Sequence, residues 1–222
     1  MVALRRHQLV RLTHAGWAEL QGRPWDDDAR ACLAHWAARC APLVVTQQRA
    51  DLAADHLGLG LPAPLRWQRR RIALHVRMDR VLYFDDFPTG QEVVGLLPPA
   101  TRGAWLALVG ALADLGAAPR VYGSFGWQRL TGLNYLHAAS DLDLRLTAGD
   151  AALADAVTDA LSRAGFVAPR LDGEIVFSDG SAVAWREWRL WRARQVDRVL
   201  VKRLHGAAME SDAAWLGESQ PC

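Results

Sequence analysis

The spacing of apolar residues changes several times along the chain, and each change predicts an element. Leu4, Leu9, Val10, Leu12 and Trp17 predict a short strand and then a turn at Gly16. Asp26-Asp27-Asp28 opens a helix running to about Cys40, with acids where the positive end of the helix dipole favours them. Pro42 stops it, and Leu43-Val44-Val45 reads as a strand. Residues 50–57 predict another helix, ended by Gly58 and Gly60, and Pro62 and Pro64 mark a loop. Arg71–Arg77 alternates as a strand does, with Val81–Phe84 as its hairpin partner. Pro88-Thr89-Gly90 and Pro98-Pro99 flank a linker.

The second half is patterned more sharply. Arg102 to Leu115 is an amphipathic helix ended by Gly116. Pro119–Tyr122 is a short strand running into a Gly123-Ser124 turn, and Asp141–Leu146 is a second strand. Asp150 to Ala164 forms a helix ended by Gly165. Leu171–Phe177 and Ala182–Leu190 form two strands joined by the turn residues Ser178-Asp179-Gly180. The tail beyond Ser211 reads as loosely ordered. This order gives an α/β (α+β) protein: a smaller α+β N-terminal domain, 1–90, and a catalytic domain, 91–222, with helices packed on a mixed sheet.

Composition narrows the function classes. With 222 residues the chain can bury a real core, and at 51% hydrophobic and 23% charged it is ordinary for a globular protein. A net charge of +2 is too mild to make a nucleic-acid binder on charge alone. No stretch approaches the ~18 apolar residues of a membrane span. Cys32, Cys40 and Cys222 lack a metal-site spacing. Their odd number, with no apolar run after Arg5-Arg6, points to a reducing cytoplasm.

The chemistry concentrates in Val121–Leu144. Asp141 and Asp143, two apart on a strand, point to one face while Leu142 and Leu144 point to the other. Paired carboxylates repel unless a cation lies between them, and Mg²⁺ is held by one or two carboxylates plus substrate phosphates. Gly123 lets backbone N–H groups approach a phosphate, and Ser124 adds a hydroxyl. Asp-x-Asp alone is usually a solvated strand edge, and Gly-Ser alone a turn; together and in order they carry the signal.

An apolar residue, Gly-Ser, a spacer and then acid-apolar-acid-apolar resembles the nucleotidyltransferase superfamily signature. A narrower resemblance rests on Gly123-Ser124, Trp127-Gln128, Leu130-Thr131-Gly132, Tyr135-Leu136 and Ser140-Asp141-Leu142-Asp143-Leu144. Asp172-Gly173-Glu174, Ala182–Trp188 and Val199–Lys202 extend it. These stretches are similar to the malonate decarboxylase phosphoribosyl-dephospho-CoA transferases. The resemblance is dense over about 120–204 and thinner over the first 90 residues.

The resemblance implies transfer of phosphoribosyl-dephospho-CoA from its triphosphate precursor, triphosphoribosyl-dephospho-CoA, to a serine of the apo acyl carrier subunit of malonate decarboxylase. Pyrophosphate leaves, and no membrane or nucleic acid takes part. Asp141 and Asp143 match the family's paired aspartates and would bind Mg²⁺. Glu187, placed on the second hairpin strand, is favoured as the third catalytic and metal-binding acid, with Glu174 as the alternative. Gly123, Ser124, Trp127, Gln128, Thr131 and Lys202 are the substrate-binding candidates, with Trp127, Gln128 and Thr131 in the loop between the motif halves and Lys202 neutralising pyrophosphate. His137, close to the aspartates, is not needed as a base.

Two arginine groups, Arg66 with Arg69–Arg71 and Arg186 with Arg189, Arg192 and Arg194, are solvated faces or sites for phosphates or an acidic carrier. Two other readings stay open. One is another Mg-dependent nucleotidyltransferase that uses ATP. The other is a nucleic-acid-binding module built on the basic, tryptophan-interleaved stretch 185–194.

Overall fold

A computed structural model describes residues 4–166 and 168–216. The chain forms two compact units. The first holds the chain up to Phe87 with Leu130–Tyr135 and Leu204–Gly206. The second holds Pro88–Arg129, Leu136–Arg203 and the chain from Ala207.

The first unit is an antiparallel sheet with two helices. Its strands are β1 (Leu9–Leu12), β2 (Leu43–Val45), β3 (His56–Pro62), β4 (Arg71–Arg77) and β5 (Val81–Asp85), in the order β4-β3-β2-β1-β5. Helix α1 (His14–Gln21) starts where the sequence predicts a turn at Gly16. Thr13 caps it, its hydroxyl accepting from the Gly16 amide at 3.1 Å. Gly16 is a packing residue: a Cβ there would lie 3.1 Å from the Arg80 Cβ. Helix α2 (Asp27–Ala38) runs as the pattern predicts, capped by Asp26 and burying Ala29, Cys32, Leu33 and Trp36.

The helix expected over 50–57 is absent. Only His56 and Leu57 of that range are regular, and they begin β3. Leu57, Leu59 and Leu61 alternate into the core, while Gly58 and Gly60 occupy the other face. A Cβ on Gly60 would come within 3.0 Å of the Thr46 side chain, so these glycines admit a neighbour and do not end a helix. The Gln48 side chain closes the ladder, accepting from the Gly58 amide at 2.7 Å and donating to the Gly58 carbonyl at 3.0 Å. Val81–Phe84 is a strand but not the partner of β4. β4 pairs with β3 from His56↔Arg77 to Pro62↔Arg71, and β5 pairs with β1. The 3₁₀ turn Met78–Arg80 redirects the chain between them.

The second unit carries a mixed sheet in the order β11-β10-β9-β8-β7-β6. Its strands are β6 (Arg120–Val121), β7 (Leu142–Thr147), β8 (Leu171–Val176), β9 (Ala182–Ala184), β10 (Val199–Arg203) and β11 (Gly206–Glu210). β7 and β8 are parallel, whereas β6, β9 and β10 join antiparallel. Parallel neighbours need a long crossover, supplied by α5 (Ala151–Arg163). Asp150 caps α5, accepting from the Leu153 amide at 2.8 Å. Helix α3 (Pro99–Asp114) packs on α5, and so does α6 (Trp185–Arg192). Leu142, Leu144, Leu146, Val157, Ile175, Val183, Trp105 and Trp188 are fully buried between sheet and helices. Each such leucine contributes roughly 1.5–3 kcal/mol on leaving water.

Two expectations in this unit change. The strand predicted over Ala182–Leu190 stops at Ala184 and turns into α6. Trp185 and Trp188 are three apart and both buried, the period of a helix and not of a strand. Gly123-Ser124 begins helix α4 (Gly123–Thr131), so Trp127, Gln128 and Thr131 are helical rather than in a loop. In the tail, Ala214–Leu216 forms a 3₁₀ turn, and the Trp215 ring meets Phe177 at 5.2 Å. Residues 1–3 and 217–222, Cys222 among them, lie outside the described residues. No helix among the described residues is long and apolar enough to cross a membrane.

Candidate active site

The acids gather where β7 and β8 run side by side in the second unit. The parallel register sets Asp143 opposite Asp172 and Arg145 opposite Glu174. Registered residues share a face, so Asp143, Asp172 and Glu174 project together while Leu142 and Leu144 enter the core. Asp141 immediately precedes β7. The close strand approach requires Gly173, whose φ is +129°. A Cβ there would sit 1.9 Å from the Leu144 carbonyl oxygen.

The start of α4 meets the same acids. Gly123 has φ +59°, and a Cβ on it would fall 1.8 Å from Asp143 Oδ2. The Tyr122 amide donates to the Asp143 carbonyl at 3.0 Å, fixing the α4 entry to β7. The first amides of a helix have no partner within the helix, and the start of α4 lies beside Asp143.

The electrostatics divide the two aspartates. Burial, then Asp172 and Asp141 close by, push the Asp143 carboxyl up to about 6, with Arg170 opposing. Asp141 is held below its ordinary value by hydrogen bonds from Arg170. Arg170 Nε donates to Asp141 Oδ1 at 3.0 Å and its Nη2 to Oδ2 at 2.5 Å. The same Nη2 reaches Asp172 Oδ2 at 3.3 Å. Glu174 is buried and takes Lys202 Nζ at 2.6 Å.

The remaining candidates fall in other places. Glu187, favoured as third acid from a strand position, is exposed on the first turn of α6. The hairpin strand that was to carry it ends three residues earlier, and Glu174 and Asp172 are the acids that sit on β8. Ser124 is half-buried on α4 beside Gly123. Trp127 is buried, and Gln128 Oε1 accepts from the Leu136 amide at 3.1 Å, bracing the chain that returns to β7. Thr131 belongs to the first unit, where its hydroxyl accepts from the Leu133 amide at 3.2 Å. His137 is exposed, and its Nδ1 accepts from the Ala139 amide at 3.2 Å.

The sequence reading missed Asp172 and Arg170 as site residues. The signal for Asp172 was its alternation with Glu174 on a predicted strand, the same pattern that singled out Asp141 and Asp143. The basic stretch of α6 is spent on structure. Arg192 forks onto Asp155 at 2.7 Å, Arg189 donates to Ser162 at 2.9 Å, and Arg186 donates to the Leu171 carbonyl at 2.8 Å. In the first unit Arg70 pairs with Asp26, and Arg66 lies 3.9 Å over the Trp67 ring.

Among the described residues no three acidic, histidine or cysteine side chains stand ready-arranged around a metal position. The donor chemistry nevertheless suits a hard dication. The acids are all carboxylates, and the like charge of Asp172 and Asp141, which adds to burial in raising Asp143, is what such an ion would relieve. Arg170 engages both oxygens of Asp141.

Fold and site together define a two-unit α/β protein with a carboxylate cluster at the start of a glycine-led helix. Comparison with known proteins makes the class specific. Residues 89–213 match the model of the phosphoribosyl-dephospho-CoA transferase MdcG C-terminal domain, and residues 5–87 match that of its N-terminal domain. A phosphoribosyl-dephospho-CoA transferase of Xanthomonas campestris pv. campestris (strain 8004) is 35% identical over 205 residues, 92% of each chain. The Bradyrhizobium diazoefficiens protein of that name is 34% identical over 186 residues, 82% of this chain and 80% of its own. One from Pseudomonas putida (strain W619) is 31% identical over 185 residues, 83% of this chain and 86% of its own. No solved structure matches the chain. The chain belongs to the phosphoribosyl-dephospho-CoA transferase family.

Proposed function

We propose that this cytoplasmic enzyme transfers phosphoribosyl-dephospho-CoA from triphosphoribosyl-dephospho-CoA to a serine of the apo acyl carrier subunit of malonate decarboxylase. The observation that carries the site assignment is the meeting of Asp143, Asp172 and Asp141 at the N-terminus of α4, in a chain of this family. The fold of the second unit is read as nucleotidyltransferase-like on the same grounds: helix, strand, Gly-Ser, and an acid pair at the start of the next strand.

In this reading the serine Oγ forms a bond to the α-phosphorus, the bond to the β-phosphate bridge breaks, and pyrophosphate departs. The serine proton passes to solvent, and the carrier gains a phosphodiester. Asp141 and Asp143 would hold Mg²⁺, with Asp172 in the place first given to Glu187. A dication held there would supply charge neutralisation at the phosphates and lower the pKa of the incoming hydroxyl. The amides that open α4 and the Ser124 hydroxyl take phosphate oxygens. Lys202, held by Glu174 on β8, adds positive charge along the same sheet. The protein supplies position and fixed charge more than covalent chemistry.

Incubation with Mg²⁺, triphosphoribosyl-dephospho-CoA and the apo carrier tests the whole proposal, with carrier mass and pyrophosphate followed together. A mass gain equal to the prosthetic group, lost in Asp141→Ala, is expected. Pyrophosphate released from ATP with no carrier modification would instead leave only a general nucleotidyltransferase.

A further inference from the structure

One side chain near the acids has no role in the reaction as written. Arg170 lies in the coil just before β8 and is 58% exposed, so packing does not hold it. Its guanidinium engages both Asp141 oxygens, at 3.0 and 2.5 Å, and reaches Asp172 at 3.3 Å. It therefore serves two of the three acids assigned above to the dication. A forked pair uses both carboxylate oxygens, so a cation entering at Asp141 has to displace it.

The displaced group stays tethered one residue before β8, within reach of Asp172. A guanidinium is planar, always charged and suited to paired phosphate oxygens, whereas an ammonium is a point charge. The site as described has acids and helix amides, and its lysine is engaged by a buried glutamate. A triphosphate brings more negative charge than these donors offset, and an arginine released at that moment supplies what is missing.

We propose that Arg170 is a displaceable counter-ion: it holds Asp141 and Asp172 until a divalent cation takes them, and its freed guanidinium then binds the donor's triphosphate. This inference rests on the metal reading of the site. A purely structural brace predicts the opposite sign. If Arg170 only oriented Asp141, removing it would loosen the metal site.

The test titrates Mn²⁺ into the full-length wild type, Arg170→Gln and Asp143→Asn, reading free Mn²⁺ by electron paramagnetic resonance. Circular dichroism checks folding. Arg170→Gln is expected to bind Mn²⁺ about 3- to 10-fold more tightly, the scale of a lost exposed but forked ion pair. Inorganic tripolyphosphate, added at excess Mn²⁺, is expected to bind Arg170→Gln about tenfold more weakly, with Arg170→Lys in between. Unchanged or weaker Mn²⁺ binding in Arg170→Gln overturns the displacement. Unchanged tripolyphosphate binding overturns the transfer of the guanidinium. Wild-type Mn²⁺ binding that Asp143→Asn abolishes, with no tightening in Arg170→Gln, sinks this inference and leaves the metal reading intact. No Mn²⁺ binding by any of the three proteins defeats both.

Discussion

Asp143→Asn separates what the site needs from what the fold prefers. The Asp143 carboxyl is raised from 3.8 to about 6, first by burial and then by Asp172 and Asp141. The folded state thus binds this proton more tightly than the unfolded chain does. Stability from this group is fullest below the unfolded value and is lost as pH rises through about 6. A shift of two units at 1.36 kcal/mol each sets a ceiling of about 3 kcal/mol against the ionised form. Solvent on a half-buried group and coupling within the cluster reduce this to about 1–2 kcal/mol. Asparagine keeps the shape and removes the charge. In EDTA at pH 8, Asp143→Asn is expected to melt roughly 3–6 °C above wild type. Near pH 4 the two should melt together, and prosthetic-group transfer by the variant should fall on the order of a thousand-fold. Melting curves from pH 4 to 8 in EDTA decide the matter. A variant less stable than wild type at pH 8, or a gap that does not change with pH, would refute the burial of like charge as the cause.

The two glycines of the site should fail differently. Gly123→Ala sets a Cβ against the movable Asp143 side chain, so it should fold with some loss of stability but transfer at least a hundred-fold more slowly, read by carrier mass. Gly173→Ala sets its Cβ against the Leu144 backbone, which cannot step aside, and should give little soluble folded protein by circular dichroism. Cys32 is buried, its thiol pushed up to about 12, whereas Cys40 is exposed. In a variant lacking Cys40 and Cys222, a thiol reagent should therefore react only as the chain unfolds, and prompt reaction in native buffer would contradict the burial. Thr13→Ala removes the cap of α1 and should cost about 1 kcal/mol in denaturant unfolding, with transfer unchanged.

The second unit was the more legible half in sequence because its elements agree with their local signals. Asp150 caps α5 as its position before an apolar run suggests, and Leu142, Leu144 and Leu146 alternate with polar partners along β7. The first unit hid β3 because two glycines stand where its outward side chains would mark a strand. Their reason lies in Thr46 and Gln48, which sequence spacing does not place beside them. The aspartate pair was visible because Asp143 lies on β7 and Asp141 directly abuts its start, where a spacing of two along extended chain is enough to bring them together. Asp172 and Arg170 needed the parallel register of β7 with β8, fixed by a crossover helix and by a glycine at the contact, Gly173. Glu187 was misplaced by the reverse error. Its tryptophan neighbours repeat every three residues, and reading them as strand residues carried the acid to a sheet it never joins. The acid cluster is assembled by strand pairing while its helix start is assembled by chain continuity. A motif search finds the second kind of neighbour and only half of the first.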